Sequence, residues 1–266
     1  MRSVIYICHG SRLPEAKEEA YQLISKVKRV VEEPIQEMCF LELQDPTLSK
    51  TVENVISQGA EQVMIVPVLL LTAGHAKHDI PEMIEKERWK YPEVSFHYGR
   101  PIEVEPKMIE VLVDHIRRAT TSHVEDYDIL LVGRGSSDQQ AVSDTETILQ
   151  MLGDYFPAQT IEKCFLAASK PKFEELLSEK VIHQEKSVMI VPYLLFTGLL
   201  ITGIKQYVEH FSLKPDQQII QAEYLGQHDH VVKILKERVI EVRKEADVVC
   251  NNGLRKWQEE KRVLKI

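Results

Sequence analysis

The chain has 266 residues, 44% apolar and 28% charged, a globular composition with too many apolar residues for a disordered chain. Its net charge of −8 argues against a nucleic-acid protein, because phosphate binding wants a basic face. The longest nearly uncharged apolar run, 63–74, falls short of the roughly 20 residues that span a bilayer and is interrupted by Pro67; with no leader-like pattern after Met1, a cytoplasmic protein without a membrane partner is expected.

In chain order, a β-branched strand is expected over 4–7, and a helix over 15–31 on the spacing of Ala20, Ile24, Val27 and Val31. A second strand follows at 36–43, a helix at 47–58 behind Pro46, and a third strand at 62–66 whose apolar run reads as a buried parallel strand. Asp79 begins another helix, with Pro81 in its first turn, ending near Lys90; a strand at 94–98 and a helix at 106–118 complete the series. Strands near 128–132, 160–166, 187–191 and 218–221, and a helix at 231–246, repeat the pattern. Alternating strands and helices predict parallel sheets with helices on both faces. Cys8, Cys39, Cys164 and Cys250 form no C-x-x-C pair, and the first three read as small buried hydrophobes.

The pattern is an internal duplication. The run from Val63 to Thr72 recurs from Val188 to Thr197 with eight of ten positions identical. The same offset of 125 aligns Cys39-Phe40-Leu41 with Cys164-Phe165-Leu166, Pro46 with Pro171, and Gly10-Ser11 with Gly135-Ser136. Two tandem α/β domains are expected, at 1–122 and 123–250, followed by a tail helix at 251–266.

In open parallel sheets the site lies at the carboxyl ends of the strands. In the first unit, strand one ends in Cys8-His9-Gly10-Ser11-Arg12, strand two leads into Glu42, and strand three leads into Gly74-His75-Ala76-Lys77-His78-Asp79. In the strand order 2-1-3-4 these ends are neighbours, about 4.8 Å apart, so His9 stands between Glu42 and His75. Two histidines and a carboxylate with open positions suit Fe(II), Co(II), Ni(II) or Zn(II). The second unit acts as an internal control: 125 positions on, His9 becomes Arg134, Glu42 becomes Ala167 and His75 becomes Leu200, all lost together while the framework stays. His78 is read as a cap or solvent-facing residue, and His228-Asp229-His230 as a solvated loop rather than a metal site. Gly133-Arg134-Gly135-Ser136-Ser137 resembles half a phosphate loop without its third glycine. Tyr193, Phe196 and residues 199–201 fit an apolar cleft or a core equally well.

These motifs, from Cys8-His9-Gly10-Ser11-Arg12 through Glu42-Leu43-Gln44 to the run from Pro67 to His75 and His78-Asp79-Ile80-Pro81, resemble the class II tetrapyrrole chelatases. Within these, the two-domain sirohydrochlorin ferrochelatases and their cobalt-inserting relatives are similar over nearly the whole chain. The resemblance implies two tandem flavodoxin-like domains, each with a parallel sheet flanked by helices, facing each other across a cleft, and insertion of Fe2+ into sirohydrochlorin to form siroheme. His9 and His75 would bind the metal and accept the pyrrole protons, with Glu42 as third ligand or proton relay. The divalent metal is then a substrate, and no organic cofactor is expected. Co2+ or nickel insertion is the alternative; the absence of a His-rich stretch or Cys-rich extension tilts the choice toward iron. Sirohydrochlorin is a polycarboxylate and the chain is acidic, so local donors are expected to hold it: Ser11, Arg12, Arg134, Ser136 and Ser137. A monomer suffices, with a homodimer as the alternative. The rival readings are a phosphotransfer enzyme with His9 as nucleophile, a non-catalytic metal or tetrapyrrole carrier, and a two-lobed ligand-binding protein.

Overall fold

A computed structural model describes the backbone of residues 1–183 and 186–263 and the side chains of 1–182 and 186–248. The first unit runs β1 (Arg2–Cys8), α1 (Pro14–Val30), β2 (Ile35–Phe40), α2 (Leu48–Ser57), β3 (Gln62–Val68), α3 (Ile80–Lys90), β4 (Ser95–Tyr98) and α4 (Pro106–Ala119). The second runs β5 (Tyr127–Gly133), α5 (Gln139–Gly153), β6 (Ile161–Phe165), α6 (Phe173–His183), β7 (Ser187–Tyr193), α7 (Leu199–Val208), β8 (Ile219–Gln221) and α8 (Asp229–Val263). The tail expected from 251 overlaps the end of α8; its side chains, that of Cys250 and residues 264–266 lie outside the described residues.

Each unit forms a four-stranded parallel sheet, ordered β2-β1-β3-β4 and β6-β5-β7-β8. The central strands β3 and β7 are buried at every residue, as a parallel strand covered by helices on both faces must be. Prolines in the first turns of α1 and α4, and Thr47 accepting from the Lys50 backbone N–H at α2, mark helix starts. Asp45-Pro46 and Lys170-Pro171, a repeat-equivalent pair, are both cis.

Two elements differ from expectation. β2 ends at Phe40, not at 43, because the chain turns at Leu43 (φ 67°) and Gln44 N–H bonds back to the Glu42 carbonyl at 2.8 Å. The apolar residues at 41 and 43 extended the strand pattern; Leu41 still bonds to the Cys8 carbonyl, whereas Leu43 sits in the turn. A single π-helical turn, His75–Asp79, precedes α3 without a break, so the helical path begins four residues earlier than Asp79.

The terminal helices of the two units are exchanged. α4 packs on α5 and β7 of the second unit, while α8 packs on α1, β3 and β4 of the first. One apolar cluster therefore runs through both units, from Tyr6 and Met64 through Met108 and Leu112 to Leu131, Val191, Leu235 and Val242. The outer faces close separately, under α2 and α3 around Ile5, Val52 and Ile84, and under α6 and α7 around Leu130, Leu177 and Ile204. Arg238 of α8, 1% exposed, anchors the exchange: it donates to the carbonyls of Pro101 (2.9 Å) and Ile102 (2.6 Å) and to Glu105 (3.1 Å) and Glu241 (3.0 Å). No described helix is long and apolar enough to cross a membrane.

Candidate metal centre

The β1–β2 ladder continues past the ends of both strands. Leu41 N–H bonds to the Cys8 carbonyl (2.8 Å) and Glu42 N–H to that of His9 (3.2 Å), which sets Glu42 beside His9. Gly10 makes this approach possible. Its φ is +98°, and a Cβ there would overlap the Glu42 carbonyl oxygen, so only glycine fits. Gly135 repeats the arrangement against the Ala167 carbonyl. The loop after β3 returns through Gly74 and the π turn to bring His75 over the same edge.

One ligand atom from each of His9, Glu42 and His75 can be chosen so that all lie within 4.8 Å of one another, and no other such group of three occurs among the described residues. The two imidazoles meet edge to face, with ring centres 4.8 Å apart. His9 Nδ1 lies 3.6 Å from Glu42 Oε1 and 3.2 Å from the Gly10 carbonyl. Side-chain exposures of 27% for His9, 47% for Glu42 and 35% for His75 leave the group open to solvent on one side. Asp79 Oδ2 lies 2.6 Å from His75 Nδ1, so the ring donates there and keeps the lone pair of Nε2 free for a ligand bond. Burial first, and then the Arg134 guanidinium, hold His9 below the ordinary imidazole range, which favours its neutral form.

The cleft in front of the triad measures about 760 Å³, within the range of small-molecule sites. Ala16, Ala20 and Leu69–Leu71 of the first unit form one wall, and Tyr193–Leu200 of the second the other. Ser11, Arg12, Arg134, Ser136 and Ser137 all line it. Two of them also shape their own turns: Ser11 Oγ accepts from Leu13 N–H (3.2 Å), and Ser136 Oγ from Asp138 N–H (3.0 Å), positions 125 apart. Arg12, Arg134 and Ser137 are exposed, and Arg134 Nη1 reaches across to His9 Nε2 at 3.1 Å. Tyr193, Phe196, Leu199 and Leu200 face the cleft, whereas Ile201 is core. Cys8 also lines the cleft, but burial pushes its thiol up to about 12, so it is neither nucleophile nor ligand near neutral pH.

Sequence reasoning missed Asp79 and Lys77, and left Tyr193 open between cleft and core. Asp79 was read as a helix start, although its i+4 spacing from His75 within one helical path signals the pairing. Lys77 forms an ion pair between the units with Asp138 at 2.6 Å, which needs the two units' relative placement to be seen. The Tyr193 hydroxyl is buried at the cleft wall with no hydrogen-bond partner among the described residues; its signal is the change from Val68 to Tyr193 in an otherwise matched repeat. His78 is exposed on the π turn. His228 and His230 pair instead with α4 carboxylates, at 3.3 Å from Asp114 and 3.2 Å from Glu110, on the α4–α8 seam.

The CbiX family model matches this chain twice, over residues 3–119 and 128–242. The chain is 44% identical over 239 residues to the sirohydrochlorin ferrochelatase of Priestia megaterium, covering 90% of each. It is 34% identical to the sirohydrochlorin cobaltochelatase of Priestia megaterium, covering 91% of this chain and 80% of that one. The structure of SirB from Bacillus subtilis with Fe3+ superposes with a TM-score of 0.82 at 35% identity, over 92% of this chain and 97% of that one.

Proposed function

The chain belongs to the CbiX family, and from that premise we propose that it inserts Fe2+ into sirohydrochlorin, forming siroheme. The observation that carries this reading is the group of two imidazoles and one carboxylate, within 4.8 Å, at the edge of an apolar-walled cleft. His9, Glu42 and His75 bind the metal facially, leaving positions for exchangeable water and then for pyrrole nitrogens. The macrocycle lies between the walls. As the metal moves onto its four nitrogens, two N–H protons leave; the neutral imidazoles of His9 and His75, freed of the metal, accept one each, with Glu42 relaying to solvent. Arg12, Arg134 and the serines at 11, 136 and 137 meet the peripheral carboxylates, local donors that let an acidic chain bind an acidic substrate. Both walls come from one chain, so a monomer suffices, working in the cytoplasm without an organic cofactor.

Cobalt insertion is the second reading, favoured by the 34% identical cobaltochelatase and by a ligand set that several divalent metals accept. Anaerobic protein with sirohydrochlorin and either Fe2+ or Co2+, followed by absorbance, tests both. Catalysed siroheme formation faster than cobalt insertion at equal metal concentration is expected. The opposite ranking assigns cobalt, and no rate above the uncatalysed one ends the chelatase reading.

A further inference from the structure

The residue that replaces His9 in the second unit touches His9 itself. Arg134 stands 125 positions after His9 and donates from Nη1 to His9 Nε2 at 3.1 Å. A guanidinium has donors and no acceptor, so His9 Nε2 must offer its lone pair. A neutral imidazole has one such lone pair. The ring proton is therefore on Nδ1, facing the Gly10 carbonyl at 3.2 Å.

This contact is incompatible with a metal on His9, whichever nitrogen is used. A metal at Nε2 takes the lone pair that Arg134 holds. A metal at Nδ1 sends the proton to Nε2, where it faces a donor. In both cases a divalent cation also approaches a fixed positive charge. Nothing comparable blocks His75, whose Nδ1 is held by Asp79. Among the described residues Arg134 has no carboxylate partner in an ion pair, yet it lines the cleft beside Arg12, Ser136 and Ser137. A carboxylate entering the cleft offers it a bidentate partner, a stronger contact than one imidazole nitrogen.

We infer that Arg134 is an interlock: it occupies the His9 lone pair and releases it when a carboxylate of the tetrapyrrole draws the guanidinium away. This rests on the chelatase reading and deepens it. By linkage, metal and polycarboxylate then strengthen each other's binding by one factor. The metal is bound fully only where its acceptor is already present, which limits loading with a cation that has nowhere to go. Arg134 is a positioning residue here, acting through His9.

Titration with Co2+ alone, read by its visible absorption and by calorimetry, tests the interlock in the wild-type protein, Arg134→Met and His9→Ala. Arg134→Met should bind Co2+ roughly tenfold more tightly than wild type, the order of one hydrogen bond to a charged group. A misfolded variant does not gain affinity, so the direction is diagnostic. In turnover, the apparent KM for Co2+ should fall as sirohydrochlorin rises in wild type and stay flat in Arg134→Met, whose KM for sirohydrochlorin is raised. Nitrogen-15 shifts should place the His9 proton on Nδ1 in the wild-type protein. Equal or weaker Co2+ binding by Arg134→Met, or a proton on Nε2, overturns the interlock while leaving the metal site standing. Undiminished Co2+ binding by His9→Ala would remove the metal-site reading and the interlock with it.

Discussion

Asp79 and Arg134 bias the two histidines in opposite directions. Asp79 holds His75 Nδ1 at 2.6 Å and leaves Nε2 bare, while Arg134 covers the free nitrogen of His9. Removing such a carboxylate behind a ligating histidine typically costs about 10–100-fold in metal affinity. Asp79→Ala should therefore weaken Co2+ or Fe2+ binding by about that factor, measured by competition with a chromophoric chelator; unchanged affinity would mean that His75 does not ligate through Nε2. Glu42 separates ligand from relay by a different measurement. Glu42→Gln keeps the shape and loses the charge: a fall in metal affinity matching the fall in kcat/KM marks a ligand, and lost kcat with intact affinity marks a relay. The three residues were legible in sequence because each follows a strand whose order in the sheet could be inferred. The contacts of Asp79 and Arg134 were not, because they depend on rotamers and on how the second unit faces the first.

At the scale of elements, strands and helices follow from apolar runs and their alternation; the expected central strands, 4–7 and 62–66, lie inside the observed ones but stop short of their ends, and the order 2-1-3-4 came from the flavodoxin-like pattern rather than from the runs themselves. The reading failed where apolar residues sit in a turn, as Leu43 does, and where a helical path starts as a π turn at His75. It also failed for α4 and α8, whose apolar faces do not reveal which sheet they cover. Arg238 tests that exchange. Its guanidinium is buried against Glu105 and two loop carbonyls, and breaking a buried pair by removing one partner costs about 3–5 kcal/mol. Arg238→Ala should lower urea stability by about that amount, and a loss below about 1 kcal/mol would deny α8 this anchoring role. The same seam makes stability depend on pH. Burial, then His230 and His115, hold His228 below the ordinary imidazole range, and burial, then Arg88, does so for His97. As pH falls through the unfolded imidazole range near 6.5, the unfolded chain binds protons that the folded one refuses, so stability falls. The urea midpoint should drop between about pH 7.5 and 5.5, and drop less in His228→Gln. A midpoint that rises on acidification contradicts the assignment.

For the whole molecule, the exchange joins the two units through one apolar cluster from Tyr6 to Val242. The halves should unfold together. Calorimetry should give one transition whose van't Hoff and calorimetric enthalpies agree, and two resolved transitions would show independent domains. The duplication itself was plain in sequence, since matched runs at one offset leave little alternative. That the copies share a core was hidden, because each carries a complete set of elements and either pairing of helix with sheet satisfies the same pattern. The division of labour follows from this shared frame: the first unit presents His9, Glu42 and His75, and the second, stripped of all three, supplies the opposite wall and Arg134. The central claim is that metal passes from that triad into the tetrapyrrole. Anaerobic protein mixed first with one equivalent of sirohydrochlorin and then with one equivalent of Fe2+ in a rapid-mixing absorbance cell measures this transfer. The account predicts stoichiometric siroheme formation by the wild-type protein and none above background by His9→Ala/His75→Ala. Equally fast transfer by the double variant, or none by the wild type, contradicts it.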